Sequence, residues 1–228
     1  MTGGNRGIGA DIAKAFADLG DKVVVFSRSG TAPDGIDAIS CDVSSTKSVE
    51  SAFDELEEKF GVAEVVIANA GVTKDTLLMR MTDEDIENVI NTNLTGAIRI
   101  ARRSSKGMLK LRRGRIIFVG SVVALLGSAG QVNYAASKSG LIGAARSLAR
   151  EVGARGITAN VIAPGFVDTD MTAVLTEDQK KSIVASVPLG RYASTSEISG
   201  VATFLASDAA SYITGAVIPV DGGLGMGH

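Results

Sequence analysis

The period of the apolar positions alternates along the chain. Ile8, Ile12, Phe16 and Leu19 recur at helical spacing, and Gly20 follows as a terminator suited to the left-handed backbone that ends many helices. Next, KVVVFSRS is a short continuous β-rich run, which predicts a buried strand. A further strand is expected in DAISCDV. Ser44 or Ser45 then caps a helix whose buried stripe is Val49, Phe53, Leu56 and Phe60, closing at Gly61.

The same alternation continues. AEVVIANAG, RGRIIFVGS, GITANVIAPG and GAVIPVDGG read as strands. Between them, DIENVINTNLTGAIRIA and NYAASKSGLIGAARSLAREV read as helices. Ser194 and Glu197 have capping-box spacing ahead of Ile198, Val201, Ala202 and Leu205. Strands alternating with helices predict an α/β fold: a doubly wound, Rossmann-type parallel sheet with helices on both faces. No repeat, charge block or linker divides the pattern, so one domain over residues 1–228 is expected.

Composition narrows the picture. Of the 228 residues, 45% are hydrophobic but only 4% aromatic, so Ala, Val, Ile and Leu carry the core, as in helices packed on buried parallel strands. The net charge of −2 favours neither a nucleic acid nor an anionic membrane as partner. Cys41 is the single cysteine, which rules out an internal disulfide and suits a reducing compartment. No apolar run reaches the ~18 residues of a membrane span, and no signal peptide is read before the first helix. A cytoplasmic protein is the expectation, and no metal is called for.

The first chemical signal is TGGNRGIG, where Gly3, Gly7 and Gly9 precede the first helix. Glycine permits positive φ and close approach of backbone to a pyrophosphate, and a helix start offers unpaired N–H groups. Asn5 and Arg6 add polar reach, and Ile8 opens the helix. After the KVVVF strand stands Ser27-Arg28-Ser29, with no carboxylate until Asp34. An acidic residue there commonly holds an unphosphorylated adenosine ribose; Arg28 instead suits the extra phosphate of NADPH.

Tyr134 and Lys138 lie at i and i+4 on a strongly helical segment and so share a face. A nearby ammonium favours the phenolate and is expected to lower the tyrosine below its usual ~10, towards proton donation near neutrality. Ser121 ends a predicted strand, where open α/β sheets bind ligands, and its hydroxyl can hold the same carbonyl oxygen.

These stretches, with CDVS, NAG, N-T-N, Y-A-A-S-K and PG-x-V-D-T, resemble the short-chain dehydrogenase/reductase family over essentially the whole chain. The resemblance implies a catalytic tetrad of Asn93, Ser121, Tyr134 and Lys138. Tyr134 would be the acid, Ser121 would orient substrate, and Lys138 would tune the phenol and hold a ribose. Asn93 would hold a water linking Lys138 to solvent. Asp42 would bind the adenine amino group beside Val43; Asn69, Ala70 and Gly71 would run beneath the adenosine ribose. Pro164, Gly165, Val167 and Thr169 would border the nicotinamide.

Within the family, GVTKDTLLMRM, QVNYAASKSGLIG, APGFVDTDMT and ITGAVIPVDGG are most similar to the bacterial 3-oxoacyl-[acyl-carrier-protein] reductases of fatty-acid synthesis. That similarity implies NADPH-dependent reduction of a carrier-bound 3-oxoacyl thioester to its (3R)-3-hydroxy product. It also implies a homotetramer, and basic contacts to the acyl-carrier protein at Arg112 and Arg155. Reduction of acetoacetyl-coenzyme A or polyketide intermediates, and a non-catalytic NADP-binding sensor or scaffold, are the alternatives. The segment from Asp170 to Arg191 is expected to cover the substrate, and His228 to be a tail or interface group.

One expectation is awkward. In the family an apolar strand precedes the glycine loop and lies between KVVVF and EVVIANAG; here only Met1 stands before Thr2. A start assigned too late, a truncation, or another segment in the slot would each account for it, the first being preferred. Without that strand the neighbouring strands would be ~10 Å apart with unpaired backbone, so poor stability and weak NADPH binding are expected.

Overall fold

A computed structural model describes residues 1–169 and 176–226. Among the described residues, six parallel strands form the sheet: β1 (Val24–Ser27), β2 (Asp37–Ser40), β3 (Val65–Ala68), β4 (Gly114–Val119), β5 (Ile157–Pro164) and β6 (Val217–Val220). β1 pairs with β2, and β3-β4-β5-β6 form a run, with register Val24↔Asp37, Val65↔Arg115, Gly114↔Ile157 and Val161↔Val217.

The chain's own first residues join the two parts. Thr2 bridges in parallel both to Phe26 of β1 and to Ala68 of β3. Phe26 N donates to Met1 O (2.7 Å), Gly3 N to Phe26 O (2.8 Å) and Thr2 N to Ile67 O (3.0 Å). The slot expected to stand open is thus filled, at the end nearest the glycine loop, by residues 1–3. The Met1 ammonium lies inside the sheet and donates to Val24 O at 2.8 Å. Burial lowers its pKa from 8.0 to about 5.

Helices cover both faces, and the two-residue period of the strands sorts the core. Ile116 and Phe118 of β4 face α2 (Thr46–Phe60), α4 (Gly96–Leu111) and α6 (Val132–Val152). Ile117 and Val119 face α1 (Gly7–Asp18) and α8 (Thr195–Ala206). Local signals act as their chemistry requires. Ser45, rather than Ser44, caps α2 by accepting from Ser48 N (3.3 Å), and Glu197 accepts from Ser194 N (2.9 Å) at the start of α8. The stripe of α1 is shorter than its spacing suggests: Ile12 and Phe16 are buried, but Leu19 caps the helix and is 69% exposed. α5 (Val123–Leu126) and α7 (Glu177–Ser186) complete the helices described. Residues 170–175 of the expected substrate cover, and His228, lie outside the described residues.

Between α3 (Asp83–Ile90) and α4 the helix widens into a π turn, Asn91–Thr95. Such bulges redirect side chains inside an otherwise regular helix. This one carries Asn93.

Candidate active site

The glycine loop is held rigidly at the carboxyl edge of the sheet. Gly3 and Gly7 have φ of +63° and +53°, which side-chain-bearing residues rarely adopt. Gly9 meets a different constraint: a Cβ there would collide with Gly3 O and lie 2.7 Å from Asn69 Nδ2. Asn69 ties the loop to β3, donating from Nδ2 to Gly3 O (2.9 Å), while its N and that of Ala70 donate to Thr2 Oγ1 (3.0 and 3.1 Å).

A cleft of about 660 Å³ opens above this loop. Gly3, Asn5, Arg6, Gly7, Ile8 and Gly9 form its floor; Arg28 and then Asp42 and Val43 stand at one end. Asn69, Ala70, Gly71 and Thr169 run along its side. The sequence reading missed Phe26, Cys41, Asn88 and Thr92, which also line it. Asn88 and Thr92 sit at i and i+4 on one helical face, a spacing that could have revealed them. Ser27 and Ser29 shape the Arg28 turn through Ser27 Oγ to Thr31 O (2.8 Å) and Ser29 Oγ to Thr31 Oγ1 (2.6 Å). Asp42 accepts from Ser44 Oγ (2.7 Å) and Ser44 N (2.9 Å). Those bonds, Ser44 Oγ first, hold its carboxyl below the ordinary range.

The donor set suits a dinucleotide. The glycine floor leaves backbone within reach of a pyrophosphate, the start of α1 points at it, and Arg6 and Arg28 supply positive charge. Pro164, Gly165 and Val167 lie farther along. Pro164 O accepts from Val122 N (2.8 Å), Gly165 packs on Asp221, and the Val167 side chain is buried in the core.

Ser121, Tyr134 and Lys138 come together beside the cleft. Lys138 is buried and donates from Nζ to Val119 O at 2.7 Å, fastening its helix to the end of β4, where Ser121 begins the next turn. Lys138 Nζ is 5.7 Å from the centre of the Tyr134 ring. Ser121 Oγ accepts from Val123 N (3.2 Å), which leaves its own proton to donate, and it interacts with the Tyr134 hydroxyl. Ser139 Oγ, donating to Ala124 O (2.7 Å), fixes α6 against the Ser121 turn.

The electrostatics depart from the expectation of a more acidic phenol. Burial raises the Tyr134 pKa, outweighing the lowering contact with Ser121, and the Asp75 carboxylate adds to the rise. Burial also lowers Lys138 from 10.5 to about 8. The ammonium is spent on a carbonyl and shields the phenol little. Tyr134 is therefore protonated at neutral pH.

Asn93 is buried, and its side chain pairs with the backbone of Val72: Val72 N donates to Oδ1 (2.8 Å) and Nδ2 to Val72 O (2.9 Å). Nδ2 also donates to Ser137 Oγ (3.1 Å). It thus neither bonds its own helix nor turns to solvent. A Cβ on Gly71 would touch both Asn93 Oδ1 (3.2 Å) and Lys138 Nζ (3.6 Å), so the NAG turn lies over these two groups.

Arg112 and Arg155 lie elsewhere. Arg112 ends α4 with φ +54°, Arg155 precedes β5, and a Cβ on Gly156 would lie 2.7 Å from Arg112 O. The two flank the amino-terminal edge of the sheet. Ser121 follows the opposite edge, about 20 Å away at the rise of a strand.

Fold and cleft define a Rossmann-type α/β protein whose cleft opens at the edge where open parallel sheets bind ligands. A family model described as enoyl-(acyl-carrier-protein) reductase matches residues 3–225. The 3-oxoacyl-[acyl-carrier-protein] reductase MabA of Mycobacterium tuberculosis (strain ATCC 25618 / H37Rv) is 52% identical over 228 residues, covering 100% of this chain and 92% of its own. FabG of Escherichia coli (strain K12), described by the same activity, is 46% identical over 237 residues, covering 99% and 96%. A solved structure from Agrobacterium tumefaciens, provisionally described as a gluconate dehydrogenase, superposes with a TM-score of 0.93 at 30% identity, covering 100% of this chain and 95% of that one. The chain belongs to the short-chain dehydrogenase/reductase family. Among the described residues, no helix is long and apolar enough to cross a membrane.

Proposed function

We propose that this protein reduces 3-oxoacyl thioesters on acyl-carrier protein to (3R)-3-hydroxyacyl thioesters with NADPH, as a cytoplasmic enzyme of fatty-acid synthesis. The observation that carries the reading is the meeting of Ser121, a protonated Tyr134 and buried Lys138 beside the cleft, in a chain half identical to reductases of that description. Bound NADPH would supply the hydride. Tyr134 would give its hydroxyl proton to the carbonyl oxygen, so that hydride and proton together make the alcohol. Ser121 would donate to the same oxygen and hold the carbonyl in place. Lys138 would steady the ribose and keep positive charge beneath the phenol. Asn93 would brace Val72 and Ser137 around them, with its backbone side left for a water.

Several features support the acyl thioester and its carrier. Leu77, Leu78 and Leu126 are exposed apolar residues near the start of α6, where Gln131 Nε2 donates to Asp75 (2.7 Å) and Thr76 N to Gly130 O (2.9 Å). They suit an acyl chain. Arg112 and Arg155 offer a basic edge to an acidic carrier, served by a long flexible arm or by a neighbouring protomer of a homotetramer. Exposed Ile98, Leu109 and Leu111 on α4 support such an assembly.

The matching family description names a second chemistry, reduction of a carbon–carbon double bond. A ketone assay separates the two. NADPH oxidation is expected with acetoacetyl thioesters of carrier protein and of coenzyme A, and not with crotonyl thioesters. Turnover of the crotonyl thioester alone would overturn the proposal.

The cofactor reading has its own test. Gly9→Ala places a methyl group where Gly3 O already lies, so the loop must shift. Fluorescence titration is expected to show NADPH affinity weakened more than ~10-fold. Unchanged affinity would mean that the glycine loop is not the pyrophosphate site.

A further inference from the structure

Arg99 lies in the first turns of α4, outside the cleft, and makes three side-chain hydrogen bonds. Nε donates to Thr46 Oγ1 (3.1 Å), and Nη1 donates to Val43 O (3.3 Å) and to Asn91 Oδ1 (2.8 Å). These acceptors belong to different walls. Val43 and Thr46 flank the turn from β2 into α2, whose Asp42, Val43 and Ser44 close one end of the cleft. Asn91 opens the π turn that carries Asn93, and Thr92 beside it lines the cleft from the other side.

We infer that Arg99 is a positioning residue for the adenosine end of the cleft, clamping the Asp42–Ser44 turn to the π turn across the base of the pocket. The inference rests on the cofactor reading above and deepens it.

Two further observations agree. The start of α4 already presses on the same turn: a Cβ on Gly96 would lie 2.9 Å from Val43 Cγ2 and 3.1 Å from Val43 O. A side chain there would force Val43 to shift, so the contact is steric on one side and hydrogen-bonded on the other. Arg99 also acts on Asp42 itself, its positive charge adding to that of Arg28 in keeping the carboxylate ionised. A lysine could supply the charge. It could not reach three acceptors from one planar fork.

The test is a comparison of Arg99→Met, Arg99→Lys and Thr46→Val by calorimetric titration with NADPH and with 2′,5′-ADP, which carries only the adenosine half. Arg99→Met is expected to weaken both ligands by roughly tenfold, with kcat at saturating NADPH within about twofold of wild type. Arg99→Lys should resemble Arg99→Met. Thr46→Val, at an exposed position, removes one bond without emptying the site and should weaken both ligands by about two- to threefold; it carries the test if Arg99→Met does not fold. Unchanged affinities, a loss confined to kcat, or full rescue by lysine would overturn the clamp. A wild-type protein that binds neither ligand would overturn the cofactor reading itself, and the clamp with it.

Discussion

Replacing Tyr134 with phenylalanine is expected to reduce turnover by ~10²–10⁴-fold, the usual worth of a positioned general acid. The ring stays and only the hydroxyl goes, so the packing of α6 on the Ser121 turn is kept. NADPH should still bind, because the glycine loop, Arg28 and the Asp42 turn do not depend on that hydroxyl. The pH profile carries a second signature. The raised pKa of Tyr134 keeps the acid protonated through neutrality, whereas Lys138 loses its proton at about 8. In the wild type, kcat/KM, which reports the free enzyme, is expected to fall as pH rises through that value. Retained turnover in Tyr134→Phe would remove tyrosine from the role of acid. Retained NADPH binding without any turnover in the wild type would favour the sensor or scaffold alternative.

What the sequence disclosed about this site followed from local geometry. Positive φ at Gly3 and Gly7 is a property of the loop alone, and one helical turn between Tyr134 and Lys138 needs only a helix. Ser121 was legible because a strand end is visible as the end of an apolar run. Burial was not. Whether the phenol becomes more or less acidic depends on how far α6 sinks against β4 and on where the ammonium points. Val119 O takes that ammonium, a partner fixed by packing between distant segments. The π turn was hidden for the same reason: NTNLT reads as continuous helix, and only the pairing of Asn93 with Val72 shows why the register slips. Arg99 had no signal either: Val43 O and Thr46 Oγ1 are more than fifty residues away in the chain, and Asn91, eight residues back, forms no recognised helical pair with it. Arg112 and Arg155 could be read as basic, but not as lying at the edge of the sheet away from the cleft.

The strand ahead of the glycine loop concerns energy more than pattern. Residues 1–3 supply the slot between β1 and β3 with a bridge at its upper end, and in a 228-residue polypeptide begun at Met1 the terminal amine lies inside the sheet. Extending the chain before Met1 by several apolar residues should therefore stabilise it, for two reasons. An amide replaces a buried amine that must give up its proton on folding below pH 8, and further backbone becomes available to pair with β1 and β3. The charge has a pH signature of known sign. Its pKa is 8.0 in the unfolded chain and about 5 in the folded one. Above pH 8 the amine is neutral in both states and costs nothing. As pH falls from 8 towards 5, the unfolded chain takes up a proton that the folded chain refuses, so stability declines; below 5 the loss is complete. A shift of this size corresponds to about 4 kcal/mol, or roughly 8–16 °C in Tm for a chain of this length. Melting curves between pH 8 and 5 are expected to show this decline in the 228-residue chain and not in the extended one. Parallel pH profiles for the two proteins would show that the ammonium finds water in the folded state, and that its bond to Val24 O is not part of the structure in solution.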